Sequence, residues 1–469
     1  MDTTKEIKEF NEKKTIVKRD SDRMGTEPVH KLLIKMSFPL MLSMLVMSLY
    51  NIVDSIFVSR INEEALTAIS LVFPFQNLNL AFGIGTAVGM SALLSKNLGA
   101  RQYEKAEKVA HNGFILVGIN YLLFFAIGCF AEPIIKAQTS DPLIVQYGTD
   151  YLRITQWLSV ALLMQAMLER LLQATGKTKY ILYVQISGAL FNLVMDPIFI
   201  FGWFGIPAMG VKGAAIATVF GQILACILGV VFNISKNREL ELALSKIKPH
   251  KKTILDIYKI AIPVIVLQSV GSLMIFSLNK ILIGISATAV ATFGAYFKLQ
   301  SFVFMPVFGL NTGSVPIMAF NYGAGNRYRL EEAMSLCVKY GVGLMTVGTI
   351  LFWIFPAEMM SLFDASPTMV DIGTVTLRVI SLGYPLAGYN IMRGSAYQAL
   401  GRSVYSMNIS LVRQLVVLIP AAFVFAQIAG VDMVWWAFPL AEISGTVMSI
   451  LYTRRIRRKI IEKMQLISM

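Results

Sequence analysis

Long apolar stretches recur along the chain after its first 30 residues, and they constrain the fold more than any other feature. A helix needs about 20 such residues to cross the roughly 30 Å apolar core of a bilayer. Inside lipid the backbone must satisfy its own hydrogen bonds, which favours helices, and the run 40–50 lacks the alternation of a barrel strand. The sequence therefore predicts an all-α polytopic membrane protein with twelve spans. They are 32–58, 66–94, 108–131, 143–171, 180–203, 210–234, 255–284, 288–319, 331–356, 370–399, 404–428 and 433–453.

The composition favours a membrane environment and excludes several other classes. Hydrophobic residues make up 55 % of the chain, charged residues 15 %, and the mean hydropathy is +0.63. Soluble domains average about 45–50 % apolar and about 25 % charged residues, so a soluble fold of this size could not cover its surface. Disordered, collagen-like and disulfide-stapled proteins are excluded as well. The three cysteines and three histidines show no metal-ligand spacing, so neither a metal centre nor a cofactor is predicted.

The net charge of +14 is concentrated in one set of connections between the spans. Basic residues beside membrane spans mark the cytoplasmic side, which predicts that both termini are cytoplasmic. Residues 1–30 lack the apolar run of a secretory signal. The charge is thus mainly a topology signal, with some attraction to anionic lipid heads, and nucleic-acid binding is not favoured. The basic connections contain residues 5–23, 96–108, 177–179, 246–252, 327–329 and 454–459.

The two halves of the chain match each other at an offset of about 225 residues. Residues 35–39 match 259–263, and residues 173–180 match 398–405. Each half has six spans, an even number, so two six-helix bundles are predicted, related by a pseudo-twofold axis along the membrane normal. A duplication kept for folding alone is the simpler alternative. The predicted units are a cytoplasmic tail (1–30), an N-lobe (31–234), a cytoplasmic linker (235–253), a C-lobe (254–453) and a basic cytoplasmic tail (454–469).

Ionisable groups at membrane depth are costly, which makes them candidates for a functional site. Asp54 lies inside the first span, and Asn51 shares its helix face. Asp196 lies in the fifth span, one turn after Asn192, and the following Pro197 loosens the helix. A carboxylate beside a broken helix is a candidate site for a cation or a proton. The alternative is that each aspartate only hydrogen-bonds a neighbouring helix.

Two further residues of the first half extend this polar set. Glu169 is a third candidate acid near the inner end of the fourth span, although an ion pair with the adjacent Arg170 would explain it equally well. Thr218 in the sixth span opens toward the same bundle, but small residues are also common at helix contacts.

The second half lacks acids at the matching positions. The offset carries Asp54 to Asn279, and it carries Asp196 to Ala421. Titration is therefore expected mainly in the first half. Neutral polar groups in the second half are predicted either to line a substrate path or to bind helix to helix. These second-half candidates are Gln268, Asn279 and Asn390, and Gln165 is the first-half match of Asn390 and a further candidate substrate contact.

Three segments together resemble the motifs of the MATE family, the multidrug and toxic compound extrusion transporters. They are residues 50–54 in the first span, 191–197 in the fifth and 213–218 in the sixth. The resemblance covers the chain after residue 30, and it is strongest to the MepA-like bacterial branch related to DinF. It implies a MATE/MOP-type fold and a cation-coupled multidrug efflux antiporter that works as a rocker switch, not an enzyme.

The resemblance also implies residue roles and surroundings. The coupling ion is expected to be H⁺ or Na⁺, with a candidate Na⁺ site at Asp54, Asn192 and Asp196. Lipophilic organic cations are the expected cargo of a monomer in the lipids of the bacterial cytoplasmic (inner) membrane. The predicted coupling residues are Asp54, Asp196, Asn192, Thr218 and Glu169, and the predicted substrate contacts are Tyr50, Asn51, Gln165, Gln268, Asn279 and Asn390.

Other classes of function fit the sequence less well. A lipid-linked precursor flippase is the main alternative, and it would need basic residues in the central cavity to hold phosphate. Lys298 and Arg393 keep that alternative open, whereas the paired acids favour cationic cargo. A receptor does not explain the duplicated bundles, and the sequence shows no nucleophile elbow or phosphate loop of an enzyme.

Overall fold

The structure is a computed structural model that describes residues 20–237, 239–240, 248–363 and 366–464. Within these ranges the side chains of residues 20, 50–52, 54–56, 59, 63, 66 and 287 are not described. All regular structure in the described residues is helical. The longer helices are α1 (Val29–Ser59), α2 (Glu63–Gly99), α3 (Tyr103–Cys129), α4 (Pro142–Trp157), α5 (Val160–Ala174), α6 (Thr178–Phe201), α7 (Val211–Lys236), α8 (Lys251–Ile283), α9 (Ala287–Gly323), α10 (Arg327–Ile354), α11 (Pro367–Ser381), α12 (Tyr384–Ala399), α13 (Ser403–Leu411), α14 (Ile419–Ala429) and α15 (Ala437–Lys459).

The predicted all-α membrane fold is confirmed, and helices occupy all twelve predicted spans. Ten stretches of the described residues are long and apolar enough to cross a bilayer. The other two predicted spans, 143–171 and 370–399, are each built from two shorter helices. The first is interrupted after Trp157 and the second after Ser381, which are equivalent positions in the repeat.

The two lobes, α1–α7 and α8–α15, meet through their first two helices. Helix α1 packs against α9, and α2 packs against both α8 and α9. At the end that carries the basic loops, α2 and α9 touch backbone to backbone. A Cβ atom at Gly99 would overlap the Phe320 carbonyl, and a Cβ atom at Gly323 would overlap the Lys96 carbonyl. Only glycine permits this approach, which brings the two lobes into direct backbone contact at that end.

A buried apolar core continues from one lobe into the other. The same cluster contains Leu33 and Met90 of the N-lobe and Phe293 and Tyr397 of the C-lobe. A second, smaller cluster around Val72 lies at the opposite end of the N-lobe. Because helices in lipid gain little from burying apolar surface, close packing and polar contacts fix the positions of the helices instead.

The lobes differ in one pair of equivalent helices. In the N-lobe, α6 is a continuous α-helix that contains Pro197. In the C-lobe, a π-helical segment, Val412–Leu418, joins α13 to α14. A π-helix is wider than an α-helix and occurs mostly as a short bulge, often at a functional site.

The predicted N-terminal tail contains a packed segment just before α1. Met24 is 1 % exposed, and its carbonyl accepts hydrogen bonds from Asn321 Nδ2 at 2.9 Å and Arg329 Nη2 at 3.2 Å. Arg329 Nη2 also donates to the Glu27 carbonyl at 2.5 Å. On the other lobe, Arg23 Nη2 lies 3.5 Å from the Gly176 carbonyl. Residues 23–27 thus contact both lobes at the end that carries the basic loops.

The remaining unit boundaries lie close to helix ends. Helix α7 ends at Lys236 and α8 begins at Lys251, inside the predicted linker 235–253. Residues 238 and 241–247 of that linker lie outside the described residues. Helix α15 continues to Lys459, so the first residues of the predicted C-terminal tail are helical.

Candidate functional site

A buried polar cluster joins α6 to α7 in the N-lobe. Asp196 is fully buried and Asn192 is 2 % exposed. The Asn192 amide is best satisfied when Nδ2 donates to Asp196 Oδ2 at 2.7 Å and Oδ1 accepts from the Thr218 backbone N–H at 2.9 Å. The structure therefore brings three of the predicted coupling residues together. Their carboxylate, amide and hydroxyl oxygens are the ligand types that hard cations prefer.

Two glycines allow this cluster to form. A Cβ atom at Gly188 would lie 3.0 Å from the Gly221 carbonyl oxygen, and a Cβ atom at Gly221 would lie 2.9 Å from the Gly188 carbonyl oxygen. Small residues let membrane helices approach closely, and here they bring the Asn192 side chain within reach of α7. Pro197 follows Asp196 inside α6 and cannot donate a backbone hydrogen bond at that point.

Three residues that are predicted to act with this cluster belong to the first span. Tyr50, Asn51 and Asp54 belong to α1, but their side chains lie outside the described residues. Helix α1 packs along α6, which carries Asp196. The expected pairing of the two aspartates and the Na⁺ site that includes Asp54 therefore remain predictions.

Glu169 forms a separate polar contact. Its carboxylate accepts hydrogen bonds from Gln165 Nε2 and from Gln185 Nε2 of α6, each at 2.9 Å. Gln185 precedes Asp196 by eleven residues, which is about 16 Å along a helix. The adjacent Arg170 donates to Gln173 Oε1 at 2.7 Å. Glu169 thus links α5 to α6, and it does not belong to the Asp196 cluster.

The C-lobe contains an acid that the sequence analysis missed. Glu442 of α15 accepts from Arg413 Nη1 at 2.8 Å, and their side chains are 17 % and 20 % exposed. Asn390 Nδ2 donates to the same carboxylate at 3.0 Å, and its Oδ1 accepts from Ser449 Oγ at 2.9 Å. The positions that match Asp54 and Asp196 carry no acid, as expected, but the sequence analysis did not name Glu442 as a further second-half acid. Arg413 was the available signal, because a charge inside a membrane span usually has a partner of opposite sign.

Two of the neutral residues predicted as substrate contacts line one cavity. Gln268 of α8 and Asn390 of α12 belong to the wall of a C-lobe cavity of about 240 Å³. Asn279 lies farther along α8 and is not part of that wall, and Gln165 is bound to Glu169 in the other lobe. The structure thus separates the predicted substrate contacts into different regions.

Two duplicated helix bundles with polar clusters inside the membrane are the architecture of a membrane transporter. The sequence model of the MatE family matches residues 39–198 and 253–424. The chain belongs to this family, and it is a multi-pass membrane transporter rather than an enzyme.

Named relatives and a solved structure align with nearly the whole chain. A "FAD transporter" from Shewanella oneidensis is 29 % identical over 430 residues, which are 90 % of this chain and 94 % of the relative. The multidrug export protein MepA from Staphylococcus haemolyticus is 27 % identical over 446 residues, which are 94 % of this chain and 96 % of the relative. A crystal structure of MATE in complex with MaL6 superposes with a TM-score of 0.88 at 23 % identity, covering 94 % of this chain and 99 % of that chain. This structural likeness confirms the predicted MATE-type fold.

Proposed function

We propose that the protein is a multidrug efflux antiporter that exports lipophilic organic cations in exchange for H⁺ or Na⁺. The observation that carries the proposal is the buried Asp196 cluster with Asn192 and Thr218. A carboxylate at membrane depth is costly as a free anion, so it favours either a proton or a cation beside it. The similarity to a multidrug export protein over 94 % of the chain supports the choice of cargo.

The coupling follows from competition for one carboxylate. Cargo cations bind while Asp196 is ionised, and H⁺ or Na⁺ displaces them by neutralising the same group. Exchange produces transport only if the ion prefers one lobe arrangement over the other. Gly99 and Phe320 join the lobes at the end with the basic loops, and alternating access requires that this contact opens and re-forms.

The surroundings of the protein belong to the same proposal. The basic loops orient the chain with both termini in the cytoplasm of a bacterium, in its cytoplasmic membrane. The protein works there as a monomer among membrane lipids, because each chain contains both lobes and the path between them.

Gradient-driven export from liposomes tests the proposal. The purified protein is reconstituted, a pH gradient or a Na⁺ gradient is imposed separately, and export of a fluorescent organic cation is followed. Export with one gradient and not the other identifies the coupling ion. If neither gradient drives export while the protein remains folded, the antiporter proposal is refuted.

A phosphate-bearing cargo is the second candidate, and two observations favour it. Arg413 lines the C-lobe cavity, and a relative of 29 % identity is named a FAD transporter. A lipid-linked precursor shares the phosphate chemistry, so the flippase alternative belongs to the same candidate. The liposome assay distinguishes a FAD exporter from a flippase when FAD and a lipid-linked phosphate are each used in place of the organic cation.

A further inference from the structure

The C-lobe cavity is bounded by α8, α9, α12, α13 and the π-helical segment, and every residue that lines it belongs to the C-lobe. Its volume of about 240 Å³ lies below the roughly 300–1,000 Å³ of sites for whole drug-sized ligands, so it suits one ring system rather than a large molecule. Phe304 and Phe308 form one wall, with ring centroids 6.1 Å apart. The cavity therefore combines the size and the aromatic surface that a flat group requires.

Arg413 is the one charged residue among those that line the cavity in the described chain. Its partner Glu442 does not contribute to the wall, and both of their hydrogen bonds use Nη1, at 2.8 and 3.1 Å. A guanidinium group has five N–H donors in a planar fork, so Nη2 and Nε can still donate to another acceptor. The charged group that a ligand in the cavity meets is therefore the guanidinium, with the Glu442 carboxylate behind it.

A buried amide with an unused acceptor lines the same space. Gln414 is 9 % exposed; its Nε2 donates to Ser410 Oγ at 2.7 Å, while its Oε1 has no partner among the described residues. Gln398 is 6 % exposed and also lines the cavity. Buried polar atoms in native proteins are nearly always satisfied, so an unpartnered amide that lines a cavity points to a polar ligand.

Helix α8 contributes a glycine to the cavity wall. Gly271 lines the cavity, and a Cβ atom placed on it would meet nothing within 4 Å. A larger side chain at this position would therefore extend into empty space without displacing a neighbour. This gives a way to fill the cavity while keeping the α8 backbone.

We propose that this cavity is a binding site for an aromatic carboxylate, whose ring lies against Phe304 and Phe308 and whose oxygens accept from Arg413. The flat fork of the guanidinium matches the two oxygens of a carboxylate, and Gln414 Oε1 is placed to accept from a hydroxyl or amine group on the ring. The free donors of Arg413 favour an anion over a cation of the same shape. The proposal extends the proposed function by adding a second ligand class, but it does not depend on Asp196 or on ion coupling.

Equilibrium binding to the full-length protein tests this site without any transport step. The protein is placed in nanodiscs of phosphatidylcholine and titrated with three probes that share one ring system: 2-naphthoate, 2-naphthamide and 2-naphthylmethylammonium. We expect 2-naphthoate to bind at least about tenfold more tightly than the ammonium probe, with the amide between them. Equal binding of all three probes, or tighter binding of the ammonium probe, would overturn the proposal.

Variants identify the residues of the site. Gly271→Leu should weaken 2-naphthoate binding at least about tenfold by filling the cavity. Glu442→Gln should strengthen it, because Arg413 loses its competing partner, and a purely structural ion pair would not produce that gain. Arg413→Gln combined with Glu442→Gln should remove the preference for 2-naphthoate over 2-naphthamide without stranding a buried charge.

Two control variants make these results decisive. Arg402→Gln removes an exposed arginine outside the cavity and should leave all three affinities unchanged. Asp196→Asn should leave 2-naphthoate binding unchanged, so a failure of the antiporter proposal remains distinguishable from a failure of this one. Monodisperse elution and a retained melting transition show that each variant is folded. Unchanged 2-naphthoate binding in folded Gly271→Leu and in the folded double variant would refute the site.

Discussion

Equivalent helices in the two lobes carry different chemistry. In the N-lobe, α6 and α7 meet through Gly188 and Gly221, and a carboxylate is buried there against an amide and a threonine. In the C-lobe, Arg413 is the repeat counterpart of Gly188 at an offset of 225 residues, and Glu442 is the counterpart of Thr218 at an offset of 224. One scaffold therefore holds a tight helix contact around an acid in one copy and an ion pair beside a cavity in the other.

The difference shows how a duplicated bundle can divide its tasks. Two backbones that touch leave room only for short side chains, which suits a dehydrated site for a small ion. In the C-lobe the Arg413–Glu442 pair joins the π-helical segment to α15, and the cavity lies on the other side of that segment, against α8, α9, α12 and α13. The comparison between the lobes can be tested at four points.

The largest effect is expected from Asp196→Asn. This change removes the only acid of the Asp196–Asn192–Thr218 cluster but keeps a side chain of the same shape. Gradient-driven efflux should fall to the level of protein-free liposomes, while the protein remains folded. Asp256→Asn is the matched control, because Asp256 pairs with Lys259 at 2.8 Å on a partly exposed surface. Normal efflux by the Asp196 variant would show that the N-lobe cluster is not the coupling site.

The C-lobe ion pair should give the next largest effect, on stability. Arg413→Met or Glu442→Met alone strands a largely buried charge and should lower the free energy of unfolding by about 3 kcal/mol. The double variant should recover most of this loss, because two apolar side chains can replace a buried pair. Thermal unfolding of all four proteins gives the coupling energy between the two residues. Additive losses would mean that the pair does not act as a unit.

The helix contacts of the two lobes should differ in their tolerance of a single methyl group. Gly221→Ala would place its Cβ 2.9 Å from the Gly188 backbone oxygen and should cost about 2 kcal/mol. Gly445→Ala would meet only side chains, Asn390 Nδ2 at 3.0 Å and Arg413 Cδ at 3.3 Å, which can move aside. We therefore expect a smaller loss of melting temperature for Gly445→Ala. The reverse order would contradict the view that the N-lobe has the tighter helix contact.

The smallest effect concerns the segment before α1. Arg329 of the C-lobe is 8 % exposed and donates to the carbonyls of residues 24 and 27, whereas its repeat counterpart Glu104 is exposed. Arg329→Gln should weaken the attachment of this segment by about 1.5 kcal/mol. Limited proteolysis at residues 20–27 should then be faster. Glu104→Gln should leave the cleavage rate unchanged, and equal rates in both variants would remove the role assigned to Arg329.

Local patterns in the sequence predicted the N-lobe cluster well. Asn192 and Asp196 are four residues apart on one helix, so their contact follows from helix geometry alone. Thr218 was added from its place in a motif, and the structure places it against Asn192. The roles of these residues in coupling stay predictions, as do those of Tyr50, Asn51 and Asp54.

Contacts between distant parts of the chain were predicted less well. For Glu169 the sequence left open a coupling acid or an ion pair with Arg170, and it predicted neither of the two residues that bind its carboxylate, Gln165 and Gln185. Glu442 and Arg413 are 29 residues apart on different helices, and no periodicity relates them. Their pairing depends on how α15 packs beside the π-helical segment. A hydropathy profile carries no information about that packing.

The sequence by itself determined that this is a duplicated helical membrane protein of the MatE family. The bilayer sets how long an apolar span must be and on which side the basic loops lie, and the 225-residue repeat is visible from a comparison of two segments. Each of these features can be evaluated without knowing how the helices pack. Only the tertiary structure decided which helices touch through glycines, where the two broken spans divide, and which buried charges face each other. Those features arise because helix packing in lipid depends on close contacts between segments far apart in the chain.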